Sequence, residues 1–115
     1  MEQLNKVTLR GFVGSVSIYN GAGRTMARLS VGTTHAYKSG DGSPVIDTEW
    51  HRVICWEGKN IKDLQMLQKG ARVQIDGRIH YGKFTGEDMA EHYYTEIQAL
   101  KLEVLPEDET FQYEM

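Results

Sequence analysis

Two tryptophans and an arginine fall on one face of a single predicted strand. The run 48-TEWHRVICWEGK-59 alternates as a strand does. Successive strand side chains point to opposite faces, so Trp50, Arg52, Ile54 and Trp56 project one way and His51, Val53 and Cys55 the other. Two more aromatics stand next to lysines: Tyr37 precedes Lys38, and Phe84 follows Lys83. Rings interleaved with cations suit unpaired nucleobases, which stack on the π-faces, and phosphates, which pair with Lys and Arg. The competing reading puts both tryptophans in a core, because strand tryptophans are commonly at least partly buried.

Other chemistries find less support. His35, His51, Cys55, His80 and His92 are scattered, without the close pairs that a metal site or a Cys–His nucleophile pair needs, so no metal and no cofactor is expected. Cys55 sits among apolar strand residues, where a cysteine normally packs. Asp41, Asp47, Glu49, Glu57, Asp76, Glu87 and Asp88 have no spacing that a metal-dependent nuclease would use. No GxxxxGK[ST] phosphate loop occurs. The expectation is a binding protein, not an enzyme.

Size and charge fit that reading. At 115 residues the chain is one domain by length. It has one cysteine, hence no internal disulfide, and no apolar run long enough to span a bilayer. The start, MEQLNKVTL, lacks the apolar block of a signal peptide. A cytoplasmic protein without membrane contact is expected. The net charge of −3 is unevenly distributed: all 13 Lys and Arg lie in residues 1–105, and four of the 16 acids lie in the last ten. The body is near neutral and can still gather its cations on one face.

The elements that position these residues are mostly of period two. Residues 4–14 place Val7, Leu9, Gly11 and Val13 on one side, and their glycines suggest a bend or bulge. Residues 19–24, YNGAGR, suggest a turn around Asn20-Gly21. Strands are expected at 25–37, 47–57, 72–81 and 92–105, with exposed hairpin loops at 38–47 and 82–91. Ile61, Leu64 and Leu67 recur at intervals of three, which predicts a short amphipathic helix over 58–69 closed by Lys69-Gly70. Three strands, one short helix and two strands make the element order of the OB-fold, an all-β, five-stranded, partly open Greek-key barrel.

At 5-NKVTLRGFVG-14, 48-TEWHRVICW-56, 69-KGARVQIDGRI-79 and 93-YYTEI-97 the chain resembles the bacterial single-stranded DNA-binding protein family, over about residues 4–105. TEWHRV is the most specific block. The resemblance implies a homo-oligomer, most often a tetramer although a dimer is possible, that wraps single-stranded DNA in replication, recombination and repair. It places the stacking rings at Trp50, Trp56, Phe84 and Tyr37. It places phosphate contacts at Arg52, Lys59, Lys69 and Lys83, and more loosely at Lys38 and Arg28. His51 is implied to lie near a subunit contact. A nucleoid-associated location in the cytoplasm follows.

Family members usually carry a long Gly-, Pro- and Gln-rich linker and then an acidic tip that recruits other proteins. Here residues 106–115, PEDETFQYEM, follow the barrel directly. Glu107, Asp108, Glu109 and Phe111 are candidates for a shortened partner-docking tail, and a plain solvated end is the alternative. The segment 15–24 is shorter than in the family, which weighs against DNA contact there. The alternative function is an OB-fold adaptor of the primosomal type, whose aromatic face docks replication or recombination proteins.

Overall fold

The computed structural model describes residues 1–106. Its strands are β1 (Val7–Gly21), β2 (Arg24–Lys38), β3 (Pro44–Trp56), β4 (Arg72–Thr85) and β5 (Glu91–Val104). They close a barrel in the order β1-β2-β3-β5-β4. All neighbours are antiparallel except β3 and β5, which run parallel and meet only at Val53↔Ile97 and Ile54↔Gln98. The expected opening therefore narrows to this short seam, which completes the closure.

Alternation sets the inside. Val13, Val31, Val53, Val73 and Ile75 are at most 1% exposed, and Ala27, Leu29 and Cys55 join them. Each buried Val or Ile contributes roughly 1.5–3 kcal/mol relative to an exposed one. β1 has two partners in the barrel, pairing with β4 over Val7–Phe12 and with β2 over Phe12–Gly21. The corner falls where the register slips between Val13 and Ser15, which makes Gly14 the bulged residue expected from its position in the strand.

The predicted helix over 58–69 is absent. Its place is taken by loop and a 3-10 turn at Leu64–Met66. Ile61, Leu64 and Leu67 are buried as an amphipathic element requires, but a strict interval of three is the 3-10 period. Asp63 enters the turn at φ 57 and Leu67 leaves it extended, so no α-helical run can form.

The expected turn at 19–24 is also displaced. β1 continues through Asn20 and Gly21, and the two-residue loop is Ala22-Gly23, both with positive φ (50 and 77). This is the backbone of a type I′ hairpin. Segment 15–21 is thus strand, not loop. The other two hairpins also run further than expected, to Lys38↔Pro44 and to Thr85↔Glu91.

Candidate nucleic-acid interface

The register places one set of side chains across the outer surface of the barrel. Residues directly opposite each other in a ladder share a face. Ser30↔Arg52, Arg28↔Ile54 and Met26↔Trp56 join β2 to β3, and Gly32↔Trp50 extends the row. Across the seam, Ile54↔Gln98 links β3 to β5, and Gly82↔Tyr94 and Phe84↔His92 link β5 to β4. A groove of about 900 Å³ follows this face, with Arg28, Arg52, Trp56, His80, Phe84 and Tyr94 on its walls. Ile54 points the same way but is buried, and it lies among the groove residues beside Val53. Glu96 also lines the groove, so phosphates are electrostatically favoured on the Arg28–Arg52 side. Neither arginine forms an ion pair among the described residues.

Both tryptophans stand outside the core, with Trp50 55% and Trp56 45% exposed. Trp50 is nevertheless seated. Its ring meets Phe12 edge-on, with centroids 5.3 Å apart and planes at 83°. Beneath it lie Gly14 and Gly32, which leave room for the indole. A Cβ on Gly32 would stand 3.0 Å from Trp50 Cζ3 and 2.9 Å from Phe12 Cζ, and a Cβ on Gly14 would collide with Trp50 Cζ3. The core reading of these rings does not hold for this fold, while Val53 and Cys55 do point inward. Burial pushes the Cys55 thiol up to about 12, which leaves it protonated and unreactive.

Phe84 is 55% exposed near the tip of the β4–β5 hairpin. His92 stacks on it at 5.2 Å, and Tyr94 lies 6.3 Å away at a tilt. The Asp88 carboxylate holds His92 Nε2 at 3.0 Å, a bond that lowers the Asp88 pKa. Phe84 thus presents one end of a small π-stack. Sequence reading missed His92 and Tyr94 because it took 82–91 for loop; alternation continued from Phe84 across the ladder would have paired them.

Other expected site residues lie elsewhere. Tyr37 is on the opposite parity of β2 from Met26, Arg28 and Gly32, and so on the reverse face of the β2–β3 arm from Trp50. It is 39% exposed, stacks on His35 at 5.9 Å, and has its pKa raised chiefly by the negative charge of Asp47. Lys83 faces away from Phe84 and approaches Glu91 at 3.8 Å. Lys59 and Lys69 are exposed in the segment between β3 and β4, and Lys38 ends β2 at the far tip of the arm. His51 is half-buried on the inward side and bonds Thr33 Oγ1 at 2.9 Å. Glu107, Asp108, Glu109 and Phe111 lie outside the described residues. Among the described residues no helix is long and apolar enough to cross a membrane.

Comparison with known proteins identifies the family. The model of the single-strand binding protein family matches residues 4–105. A single-stranded DNA-binding protein of Xanthomonas axonopodis pv. citri is 36% identical over 104 residues, covering 89% of this chain and 58% of the relative. One from Xylella fastidiosa is 38% identical over 104 residues, covering 89% of this chain and 63% of the relative. The chain thus spans about three fifths of the length of these curated relatives. Among solved structures, an SSB of Plasmodium falciparum in complex with single-stranded DNA superposes with a TM-score of 0.78 at 29% identity, covering 92% of this chain and 98% of that one. With a family match across almost the whole barrel and relatives of this similarity, the chain belongs to the single-strand binding protein family.

Proposed function

We propose that this protein binds and protects single-stranded DNA irrespective of sequence, and does so without bond chemistry. The observation that carries the reading is the groove that gathers Trp56, Phe84, Arg28 and Arg52 from three strands onto one face. Each base stacked on an aromatic ring contributes roughly 1–3 kcal/mol, whichever base it is. Arginines take the phosphates and release condensed counterions, so affinity falls as salt rises. A duplex hides its π-faces in its own stack, and preference for single strands follows.

Residues 1–105 act in this reading as the binding domain, with a short acidic tail behind them that offers Glu107, Asp108, Glu109 and Phe111 to replication or repair proteins. The protein works in the cytoplasm, on the nucleoid, in replication, recombination and repair. It acts as a homo-oligomer, a tetramer or dimer, with His51 near a subunit contact. Supporting association, β1 from Val7 to Gly11 pairs with β4 on one side while its pairing with β2 begins only at Phe12, which leaves a strand edge open to a second chain.

The test is substitution of the exposed ring. Trp56→Ala is expected to weaken oligo-dT binding roughly 5- to 150-fold while leaving the circular dichroism spectrum intact. Unchanged affinity would remove Trp56 from the DNA path and favour the adaptor reading.

A further inference from the structure

The tip of the β4–β5 hairpin is built around one exposed ring. Phe84 and His92 are partners in the ladder, and Gly82 and Tyr94 are the next partners on the same face. The positions two before and two after Phe84 are both glycine. Each glycine gives its space to a ring from β5. A Cβ on Gly82 would collide with the Tyr94 ring, and a Cβ on Gly86 would stand 2.7 Å from His92 Nε2. Phe84 is therefore flanked by two rings: His92 lies close to parallel with it (22°, 5.2 Å), and Tyr94 lies at 44° and 6.3 Å. His92 is fixed in turn. Asp88 meets its Nε2 with both carboxylate oxygens, at 3.0 and 3.1 Å, and also accepts the Ala90 amide at 3.0 Å. The lowered pKa of Asp88 keeps it ionised and so an acceptor only, which puts a proton on His92 Nε2.

We propose that Asp88 and His92 are positioning residues for single-stranded DNA: Asp88 anchors His92, and the His92 ring sets the plane of Phe84 and covers one of its faces, so that a base stacks on the other. The proposal rests on the DNA-binding reading above, with Phe84 as a stacking ring. Charge alone argues against a carboxylate at this place, because it repels phosphates. Stability does not call for the pair either. It is about half exposed, 45% at His92 and 58% at Asp88, and ion pairs open to solvent contribute little to a fold. What the pair controls is orientation. A phenylalanine without neighbours at a hairpin tip samples several rotamers, and a base that must first select one of them binds more weakly. With Gly86 beneath His92 and Gly82 beneath Tyr94, the rings of β5 lie against Phe84 and hold it in place before DNA arrives.

Oligo-dT titrations of the full chain decide it, with Asp88→Ala, Asp88→Asn and His92→Leu each made alone and together with Phe84→Ala. Asp88→Ala and His92→Leu should each weaken binding roughly 2- to 12-fold, the strength of one aromatic pair, with little change in melting temperature. His92→Leu leaves the Asp88–Ala90 bond in place, so it separates the ring from the turn. Asp88→Asn keeps an acceptor for Nε2–H and should recover most of the loss. In the Phe84→Ala background none of the three should weaken binding further, because no ring is left to place. Affinity that rises in Asp88→Ala, as the loss of a repelling charge would give, overturns the proposal. So does unchanged affinity in His92→Leu, or a loss that persists undiminished without Phe84. If these results appear while Trp56→Ala is weakened, the positioning role is wrong and the DNA-binding reading survives. If wild type itself does not bind, both fall.

Discussion

Adding one methyl group at Gly14 should impair DNA binding without removing any group that touches DNA. Trp50 rests on Gly14 and Gly32 with its edge against Phe12. In Gly14→Ala the new Cβ would overlap Trp50 Cζ3 and lie 2.8 Å from Ser30 Oγ. Gly14 is not among the glycines with positive φ, so alanine fits the backbone there. The indole is more than half exposed and can swing outward, giving up its edge contact with Phe12, worth about 0.5–1.5 kcal/mol. Alanine returns about 0.4–1 kcal/mol by restricting the unfolded chain. The net change in stability is therefore within about 1 kcal/mol, a few degrees in melting temperature. The platform, however, has moved. A base that gains roughly 1–3 kcal/mol on a correctly set ring loses much of it on a tilted one, so affinity should fall at least about fivefold. The assay is an oligo-dT titration beside a thermal melt. If Gly14→Ala binds as wild type while Trp50→Ala is weakened, the seat of the ring is irrelevant. If Gly14→Ala unfolds the protein, Gly14 serves the barrel corner and not the indole.

The cations on the groove and those off it should separate. Arg52→Ala should lower the salt slope by about 0.7, whereas Lys83→Ala, facing away from Phe84 and near Glu91, should change it less; an equal or larger effect at Lys83 would contradict the face assignment. Cys55, buried with its thiol pushed up to about 12, should resist thiol reagents at pH 8 and react once guanidinium unfolds the chain. Rapid labelling of native protein would mean the barrel opens at β3. In the β2–β3 loop, Asp41 accepts bonds from Ser39 Oγ and from the Ser43 amide (2.9 Å), which pull its pKa down to about 2. A depressed carboxylate supports the folded loop above the ordinary range near pH 4 and loses that support as pH falls through about 2. An NMR titration of its carboxyl carbon with a midpoint near 4 would contradict the turn.

The barrel was legible because period two survives wherever one face is buried: Val13, Val31, Val53 and Val73 each recur at every second position with other apolar residues of their strands, and all point inward. The same alternation puts Trp50 and Trp56 on one face, but spacing alone fits a buried face as well, and their exposure in the barrel decides that it is the outer one. Three things were not legible. Ile61, Leu64 and Leu67 fit a helix or a 3-10 turn equally in a short window, and only the left-handed Asp63 decides. Asn20-Gly21 carries the usual turn residues, yet the ladder continues and hands the turn to Ala22-Gly23, which concealed Tyr19 as a strand residue. Tyr37 matched the family only through a loop of uncertain length, and a shift of one residue reverses the face, so the outer position beside it is filled by Ala36.

The central claim is that the exposed indoles meet nucleobases. It is tested most directly by titrating the intrinsic tryptophan fluorescence with oligo-dT at low salt, beside a duplex of equal length. Strong quenching by the single strand, reversed by added salt and much weaker with the duplex, is the expected result. Fluorescence that stays unchanged through saturating single strand would contradict it.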